Sequence, residues 1–193
     1  MVIFLYICSM KYIVTIILIV TNVVLFAQNL DSLTFNYINQ YRVKKGKNVL
    51  IWSDELYKNS VKHSNNMILN DSMYHSLYDR TYSENVTYGS GNRGLVGDEK
   101  YKIFIKKYFN LNYEDVIKDL NIFIVTNVVF TWYTSTTHNK IMLSMFSPDK
   151  VAAVSVITKD IVKKPNFIFG QEIFKGWGPY YYKLTLSATF QIK

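Results

Sequence analysis

Three short stretches, well separated along the chain, carry side chains that could form one chemical site. They are Met73–Ser76, Ser83–Val86 and Trp132–His138. Two of the three histidines of the chain, His75 and His138, lie in these stretches together with Glu84. A pair of imidazoles with a carboxylate is a plausible ligand set for a divalent metal ion. The same three groups are also a plausible general acid and base.

Each of these residues also has a structural interpretation. His75 and His138 could be polar residues that line a cleft, and Glu84 could hold one histidine in a fixed tautomer while accepting backbone N–H groups. Protein zinc sites usually have three or four ligands, and Glu84 is the only obvious third, so weak, water-completed zinc binding is the form of metal binding expected. Ser76 or Ser135 could alternatively form a hydrolase triad with His138 and Glu84, although the chain has no nucleophile elbow.

The first 27 residues are expected to be a signal peptide. Tyr12–Ala27 is a nearly continuous apolar run that is preceded by Lys11 and ends at an acceptable cleavage site. Met10 would give a more ordinary start than Met1. The alternative is an uncleaved anchor, although a full membrane span needs about 17–25 residues. We therefore expect a protein that is secreted or held in the periplasm or cell envelope.

Residues 28–193 are expected to form a single domain with its own core. The chain has 193 residues, of which 49% are hydrophobic, which suits one domain and excludes a disordered chain. The only cysteine, Cys8, lies in the expected signal peptide, which excludes a disulfide scaffold and a thiolate metal site. The net charge of +8 is scattered along the chain. A solvated basic surface is therefore expected, and nucleic acid is not an expected partner.

Helix signals dominate the first part of the chain. Asp31 or Ser32 is expected to cap a first helix that runs to about residue 45 and ends at Gly46. Ser53 is expected to cap a second helix over about Asp54–Leu69. His63, on this second helix, is interpreted as a half-buried residue away from the site, because intermediate burial is typical of histidine.

The middle and the end of the chain give weaker or different signals. Residues 70–98 are predicted to be loop and turn. Ile122–Val129 is rich in β-branched residues, and we prefer a buried helix over the strand that propensity alone favours. Val151–Ile157 is predicted to be a strand, and Leu184–Gln191 alternates apolar and polar residues as a half-buried strand does. The segment between them, Lys163–Pro179, is predicted to be loop or hairpin. Helices before strands indicate an α+β fold.

The ordered set of these segments resembles the CAP superfamily, also called the SCP domain. The family includes cysteine-rich secretory proteins, venom antigens, plant pathogenesis-related proteins and many exported bacterial proteins. The matching segments are, in order, Asn39–Arg42, Gly46–Trp52, His63–Met67, Tyr74–Ser76, Ser83–Val86 and Trp132–Leu143. The resemblance covers about residues 33–157 and implies a three-layer α-β-α sandwich. It also implies a cleft that holds a tetrad of two histidines and two acids.

Carried over by position, the resemblance makes His75, Glu84 and His138 three members of that tetrad. The second acid is replaced by Ser135, as is common in the bacterial form of the motif. The tetrad is therefore incomplete, which weakens the metal and catalytic hypotheses. The stretch over residues 93–112 is longer than the bacterial pattern requires and is expected to be an inserted loop or helix near the cleft.

The leading functional hypothesis is a secreted or envelope-exposed CAP-domain protein that binds a lipid, a peptide or an envelope polymer. The ligand would meet a cleft lined by His75, Glu84, Ser135 and His138. Aromatic-rich loops around the cleft would contribute to binding through Tyr78, Tyr82, Tyr88 and Trp177. A monomer is expected, and contact with a membrane surface remains open.

Two other hypotheses remain open from the sequence. In a metal-assisted hydrolase acting on a peptide or envelope substrate, His75 and His138 would hold the ion and Glu84 would activate water. Glu84 and His138 would then be the catalytic residues, and a weakly bound divalent metal such as zinc would be the cofactor. In a structural or adhesive domain the cleft would be vestigial, and no cofactor would be needed.

Overall fold

The computed structural model describes residues 30–76, 82–93, 99–144, 150–165, 167–168, 171–172 and 180–193. The expected signal peptide with Cys8, and the loop residues Tyr78 and Trp177, lie outside the described residues. The helices are α1 (residues 30–44), α2 (Asp54–Leu69), α3 (Glu99–Phe109), α4 (Tyr113–Val116), α5 (Leu120–Thr134) and α6 (Thr136–Met142). The strands are β1 (Ile51–Trp52), β2 (Ser83–Arg93), β3 (Val151–Pro165), β4 (Phe167–Ile168), β5 (Gln171–Glu172) and β6 (Tyr180–Ile192).

Four strands form a mixed sheet in the order β1-β3-β6-β2. Strand β1 runs parallel to β3, whereas β6 is antiparallel to both of its neighbours. The short strands β4 and β5 pair with each other in the segment for which loop or hairpin was predicted. The α+β class inferred from the sequence is confirmed, with the mixed sheet packed against helices.

Helices cover both faces of this sheet. On one face, Trp132 of α5 packs against Phe190 of β6 with 6.0 Å between ring centroids. On the other face, the hydroxyl of Ser64 in α2 donates to Thr189 Oγ1 at 2.8 Å. Because neighbouring residues of a strand point to opposite faces, Thr189 and Phe190 belong to different layers. The three-layer arrangement follows.

Residues 186–192 of β6 are buried on both faces, so the prediction of a half-buried strand was wrong. Its polar residues Ser187, Thr189 and Gln191 are as inaccessible as its apolar ones, each 0% exposed. The alternation was interpreted as a solvent-facing side, but the polar side instead faces α2, which presents small polar residues such as Ser60 and Ser64. A polar layer inside the protein gives the same sequence pattern as an exposed one.

Strand β2 lies where loop and turn were predicted. The segment Ser83–Arg93 contains Gly, Ser and Asn, which disfavour strands in isolation. It nevertheless pairs residue by residue with β6 along its whole length. The prediction was wrong because pairing with β6, a non-local interaction, decides the structure of this segment.

The second helix agrees closely with its prediction. It spans Asp54–Leu69, and Ser53 accepts a hydrogen bond from the Leu56 amide as its N-cap. Trp52 and Tyr57 pack across the helix start with 5.0 Å between ring centroids. These are the positions of a hydrophobic staple, so local signals suffice here.

The first helix ends near Gly46 as predicted, with φ of +68° at that glycine. Its expected cap was wrong, however. Asp31 lies inside the helix, and its buried carboxylate accepts hydrogen bonds from Tyr57 Oη at 2.7 Å and Val156 N at 2.6 Å. The carboxylate thus ties α1 to α2 and β3.

Ile122–Val129 is helical, which confirms the choice of a buried helix, because these residues lie within α5. Helix α3 occupies the stretch that was expected to hold an inserted loop or helix. It packs against α1 and α5, with Phe104 close to the rings of Tyr41 and Tyr133. No helix among the described residues is long and apolar enough to cross a membrane.

Candidate functional site

Glu84 is the centre of a dense hydrogen-bond network at the start of β2. Its carboxylate Oε1 accepts from the Ser76 amide at 2.9 Å and from His75 Nδ1 at 3.3 Å. Its Oε2 accepts from Ser76 Oγ at 2.7 Å and from Gln191 Nε2 at 2.9 Å. An ionised carboxylate has about four lone-pair positions. All of them are therefore used by donors of the chain itself.

The same network sets the charge of Glu84. Burial raises the pKa of the carboxyl group, but the hydrogen bonds from Gln191 and Ser76, with a smaller contribution from nearby His63, outweigh it and leave the pKa below its ordinary value. The group is therefore ionised at neutral pH. Since Gln191 lies directly opposite Glu84 in the β2–β6 ladder, the pairing of the two strands is enough to place this donor next to the carboxylate.

His75 is the most accessible member of the predicted site. Its side chain is 57% exposed, whereas that of Glu84 is 7% exposed. The ring nitrogen Nδ1 faces Glu84, so the opposite nitrogen, Nε2, is the one available to a ligand. The short irregular segment that follows α2 places His75, and Ser76 fixes that segment to Glu84 through both its amide and its hydroxyl.

His138 lies in the first turn of α6, with 6.4 Å between its ring centroid and that of His75. Its backbone is fixed from two sides. Its carbonyl accepts from Asn85 Nδ2 at 2.9 Å, and its amide donates to the N-cap residue Ser135 at 3.5 Å. Burial, together with the nearby His75, lowers the pKa of His138. The imidazole is therefore neutral at physiological pH.

Neither candidate serine pairs with a histidine side chain. Ser76 Oγ donates to Glu84 and is also within 3.0 Å of Tyr82 Oη. Ser135 Oγ serves as the cap of α6 and accepts from a backbone amide. The predicted triad requires a histidine side chain within hydrogen-bond reach of the serine, and the described contacts of Ser76 and Ser135 include none.

His63 is close to the site, contrary to the prediction that it lies away from it. It is 6% exposed, and its Nε2 lies 3.7 Å from Glu84 Oε1 and 2.8 Å from the Tyr74 carbonyl oxygen. The signal that could have indicated this was the position of His63 on the buried face of α2, two turns before the loop that carries His75. The contact depends on how that loop folds back, which periodicity does not report.

Gln191 was also missed as a site residue. Its amide donates to Glu84, yet in the sequence it is the last polar position of an alternating strand. Only the register of β2 against β6 brings the two side chains together. The only sequence signal available was the size of Gln191, which is a long polar residue at the end of a series of small ones, Thr185, Ser187 and Thr189.

The donor set does not fit a closed metal site. His75 and His138 each offer one imidazole, but Glu84 has no lone pair left for an ion, and Ser135 is a poor zinc ligand. Within the described part of the chain, no group of three or more His, Cys, Asp or Glu side chains could hold a metal ion.

Apolar and aromatic side chains lie along the chain on either side of these histidines. Leu69, Met73 and Tyr74, which precede His75, are 80%, 57% and 37% exposed. Tyr82 contacts Ser76, and Tyr88 hydrogen-bonds to Asp71 at the end of α2. The described part of the site therefore combines polar groups with exposed apolar surface.

Comparison with protein families supplies the identification. The family model described as the cysteine-rich secretory protein family, CAP, matches residues 35–146, more than half of the chain. The chain belongs to the CAP family. The match includes His75, Glu84, Ser135 and His138, whereas Gln191 lies beyond it. No curated protein and no solved structure matches this CAP domain.

Proposed function

We propose that this CAP domain is an exported binding module that holds its ligand at His75 and His138 without cleaving it. One observation carries the proposal: both oxygens of Glu84 are fully engaged with donors of the same chain. A general base needs a free lone pair to take a proton from water, and a metal ligand needs one for the ion. In the proposal, Glu84 is the anchor that positions the binding residues.

The groups left for a ligand indicate its chemical class. His75 and the neutral His138 offer hydrogen-bonding nitrogens, and Leu69, Met73 and Tyr74 offer exposed apolar surface. Ligand-binding sites typically combine apolar surface with a few polar groups that fix the orientation of the ligand. The proposed ligand is a lipid, a peptide or an envelope polymer, and nucleic acid is not proposed.

The proposed location is outside the cytoplasm. Members of the CAP family are typically secreted, and the apolar run that precedes Gln28 has the pattern of a signal peptide. A domain without cysteines in its mature part needs no oxidising compartment in order to fold, because its core supplies the stability. Lipids and polymers of the cell envelope are then the ligands within reach.

The test is binding of the purified protein to three immobilised preparations: phospholipid vesicles, peptides and envelope polymer. The wild-type protein should bind one of them saturably. The double variant His75→Ala, His138→Ala should lose at least tenfold in affinity, about 1.4 kcal/mol. Lys140→Ala, an exposed change on the same helix as His138, serves as the matched control and should bind as the wild type does. Equal binding by the double variant would contradict the proposal.

The competing function is a metal-assisted hydrolase, and one observation favours it. The lowered pKa of His138 keeps its imidazole neutral and able to accept a proton. Incubation with peptide or envelope substrate, with and without a chelator, separates the two functions. Product formation that is abolished both by the chelator and by His138→Ala would replace the binding proposal, whereas intact ligand recovered from the bound fraction supports it.

A further inference from the structure

His63 is a buried histidine that the proposed binding role does not use. It belongs to α2, is 6% exposed, and lies beside both the segment that presents His75 and the carboxylate that holds this segment. Buried polar side chains are costly unless they are hydrogen-bonded. An apolar residue would fill the same place on the inner face of a helix, so the polar contacts of His63 call for an explanation.

The contacts of His63 define the location of its proton. Its Nε2 is 2.8 Å from the Tyr74 carbonyl oxygen. A carbonyl oxygen can only accept a hydrogen bond, so Nε2 must carry the proton. The ring also packs edge-on against the Tyr74 ring, with 5.0 Å between centroids and 87° between planes. His63 therefore fixes both the backbone and the side chain of the residue immediately before His75.

The proton of His75 is fixed by the same group of residues. Its Nδ1 faces Glu84 Oε1 at 3.3 Å, and the ionised carboxylate can only accept. In the neutral form of the ring, Nδ1 therefore carries the proton, and Nε2, on the opposite side of the ring, carries a lone pair. The Nε2–H edge of His63, 3.7 Å from the same carboxylate oxygen, adds a favourable electrostatic contact that keeps Oε1 in place.

We propose that His63 is a positioning residue that, through the Tyr74 carbonyl and Glu84, holds His75 as the Nδ1–H tautomer with an acceptor nitrogen for the ligand. The inference rests on the proposed function and deepens it. A ligand that meets an acceptor at His75 must bring a hydrogen-bond donor, such as a hydroxyl group or an amide N–H. A phosphodiester or carboxylic ester with no hydroxyl or N–H group lacks such a donor and would bind there poorly.

The test is ¹⁵N NMR of the imidazole rings in the full-length protein at pH 8.5, where histidine is ordinarily neutral. Protonated and unprotonated ring nitrogens have widely separated ¹⁵N shifts, so each tautomer is read directly. In the wild type we expect Nε2–H for His63 and Nδ1–H for His75. The opposite tautomer at either histidine would overturn the proposal, and this reading depends on no substitution.

Two variants of His63 separate positioning from packing. His63→Leu fills the space but removes the donor to Tyr74, so the Nδ1–H tautomer of His75 should fall from the dominant to the minor form. His63→Gln keeps a donor nitrogen at the position of Nε2 and should retain the wild-type tautomer. A folded His63→Leu variant with an unchanged His75 signal would mean that His63 only fills space, and would overturn the proposal.

The ligand that the binding test identifies provides a second readout. In metal sites, removal of a group that orients a binding histidine costs about 10–100-fold in affinity. By analogy we expect a loss of about tenfold for His63→Leu but not for His63→Gln. Equal affinity of both variants would contradict the positioning role. The tautomer measurement needs no ligand, so the two proposals can fail separately. If the protein shows the expected tautomers but binds none of the three preparations, the proposed function is refuted and the positioning role of His63 is not.

Discussion

Replacement of Glu84 by alanine should destabilise the protein far more than its position near a cleft would suggest. The side chain is 7% exposed and accepts four hydrogen bonds. Two of the donors, the backbone amide of Ser76 and the buried side-chain amide of Gln191, would lose their acceptor in the variant. A hydrogen bond to a charged group contributes about 1.5–3 kcal/mol. The loss of two such hydrogen bonds therefore predicts a decrease of about 3–6 kcal/mol in the free energy of unfolding.

Glu84→Gln should cost much less, about 1–2 kcal/mol. The glutamine oxygen can still accept from the Ser76 amide. Its NH₂ group would face the amide of Gln191, but Gln191 Oε1 is buried without a hydrogen-bond partner. A rotation of the Gln191 amide would satisfy both groups. Glu55→Gln, at an exposed position of α2, is the matched control and should change stability by less than about 0.5 kcal/mol.

Urea unfolding followed by circular dichroism measures these differences as shifts of the midpoint at constant slope. The pH dependence provides an independent check. Since the folded pKa of Glu84 is lowered, its contribution is present above the pKa of the unfolded chain and is lost as pH falls through the folded value. The gap between wild type and Glu84→Gln should therefore narrow in acid. A Glu84→Ala variant within about 1 kcal/mol of wild type at pH 7 would refute the anchor role.

Three further predictions concern buried or half-buried polar groups outside the site. Burial raises the pKa of Asp31 to about 6, so its contribution to stability is present below about pH 4 and is lost as pH rises through about 6. Between pH 4 and pH 7 the free energy of unfolding of Asp31→Asn should therefore rise by up to about 3 kcal/mol relative to that of the wild type, and a difference in urea unfolding that does not change with pH would contradict this. Arg42 is 3% exposed and donates to the Met142 carbonyl at 2.6 Å. Arg42→Met should therefore lower the free energy of unfolding by about 2–4 kcal/mol in thermal unfolding, and a decrease below about 1 kcal/mol would argue against the importance of this contact. Asn39 pairs with both backbone groups of Leu50 at 2.8 and 3.2 Å, so Asn39→Ala should cost about 1–3 kcal/mol and speed amide hydrogen exchange at Leu50, whereas unchanged exchange would disprove the pairing.

Local sequence signals were sufficient wherever an element is specified by its own residues. Helix α2 carries its cap, its staple and an inner face with helical period, and it forms as predicted. Strand β2 carries no such signal, because its Gly, Ser and Asn residues become a strand only through pairing with β6. The polar face of β6 likewise could not reveal that α2, rather than solvent, covers it.

The candidate site divides in the same way. The residue types, and the order of the segments that resemble the CAP family, identified His75, Glu84 and His138 as candidates. The structure places the centroids of the two imidazole rings 6.4 Å apart, with Glu84 in contact with His75. His63 and Gln191 reach Glu84 from α2 and β6, elements far apart in the chain. Such contacts depend on tertiary packing and strand register, and neither is encoded in a local pattern.

A calorimetric zinc titration tests most directly whether Glu84 is an internal anchor. We expect any zinc binding by His75 and His138 to be weak, and we expect Glu84→Gln, which keeps the shape of the side chain, to leave that binding unchanged. Saturable binding near one equivalent that is lost in both His75→Ala and Glu84→Gln, and kept in Glu55→Gln, would contradict the anchor role of Glu84. Glu84 would then be a metal ligand, and hydrolysis would become the better interpretation of the site.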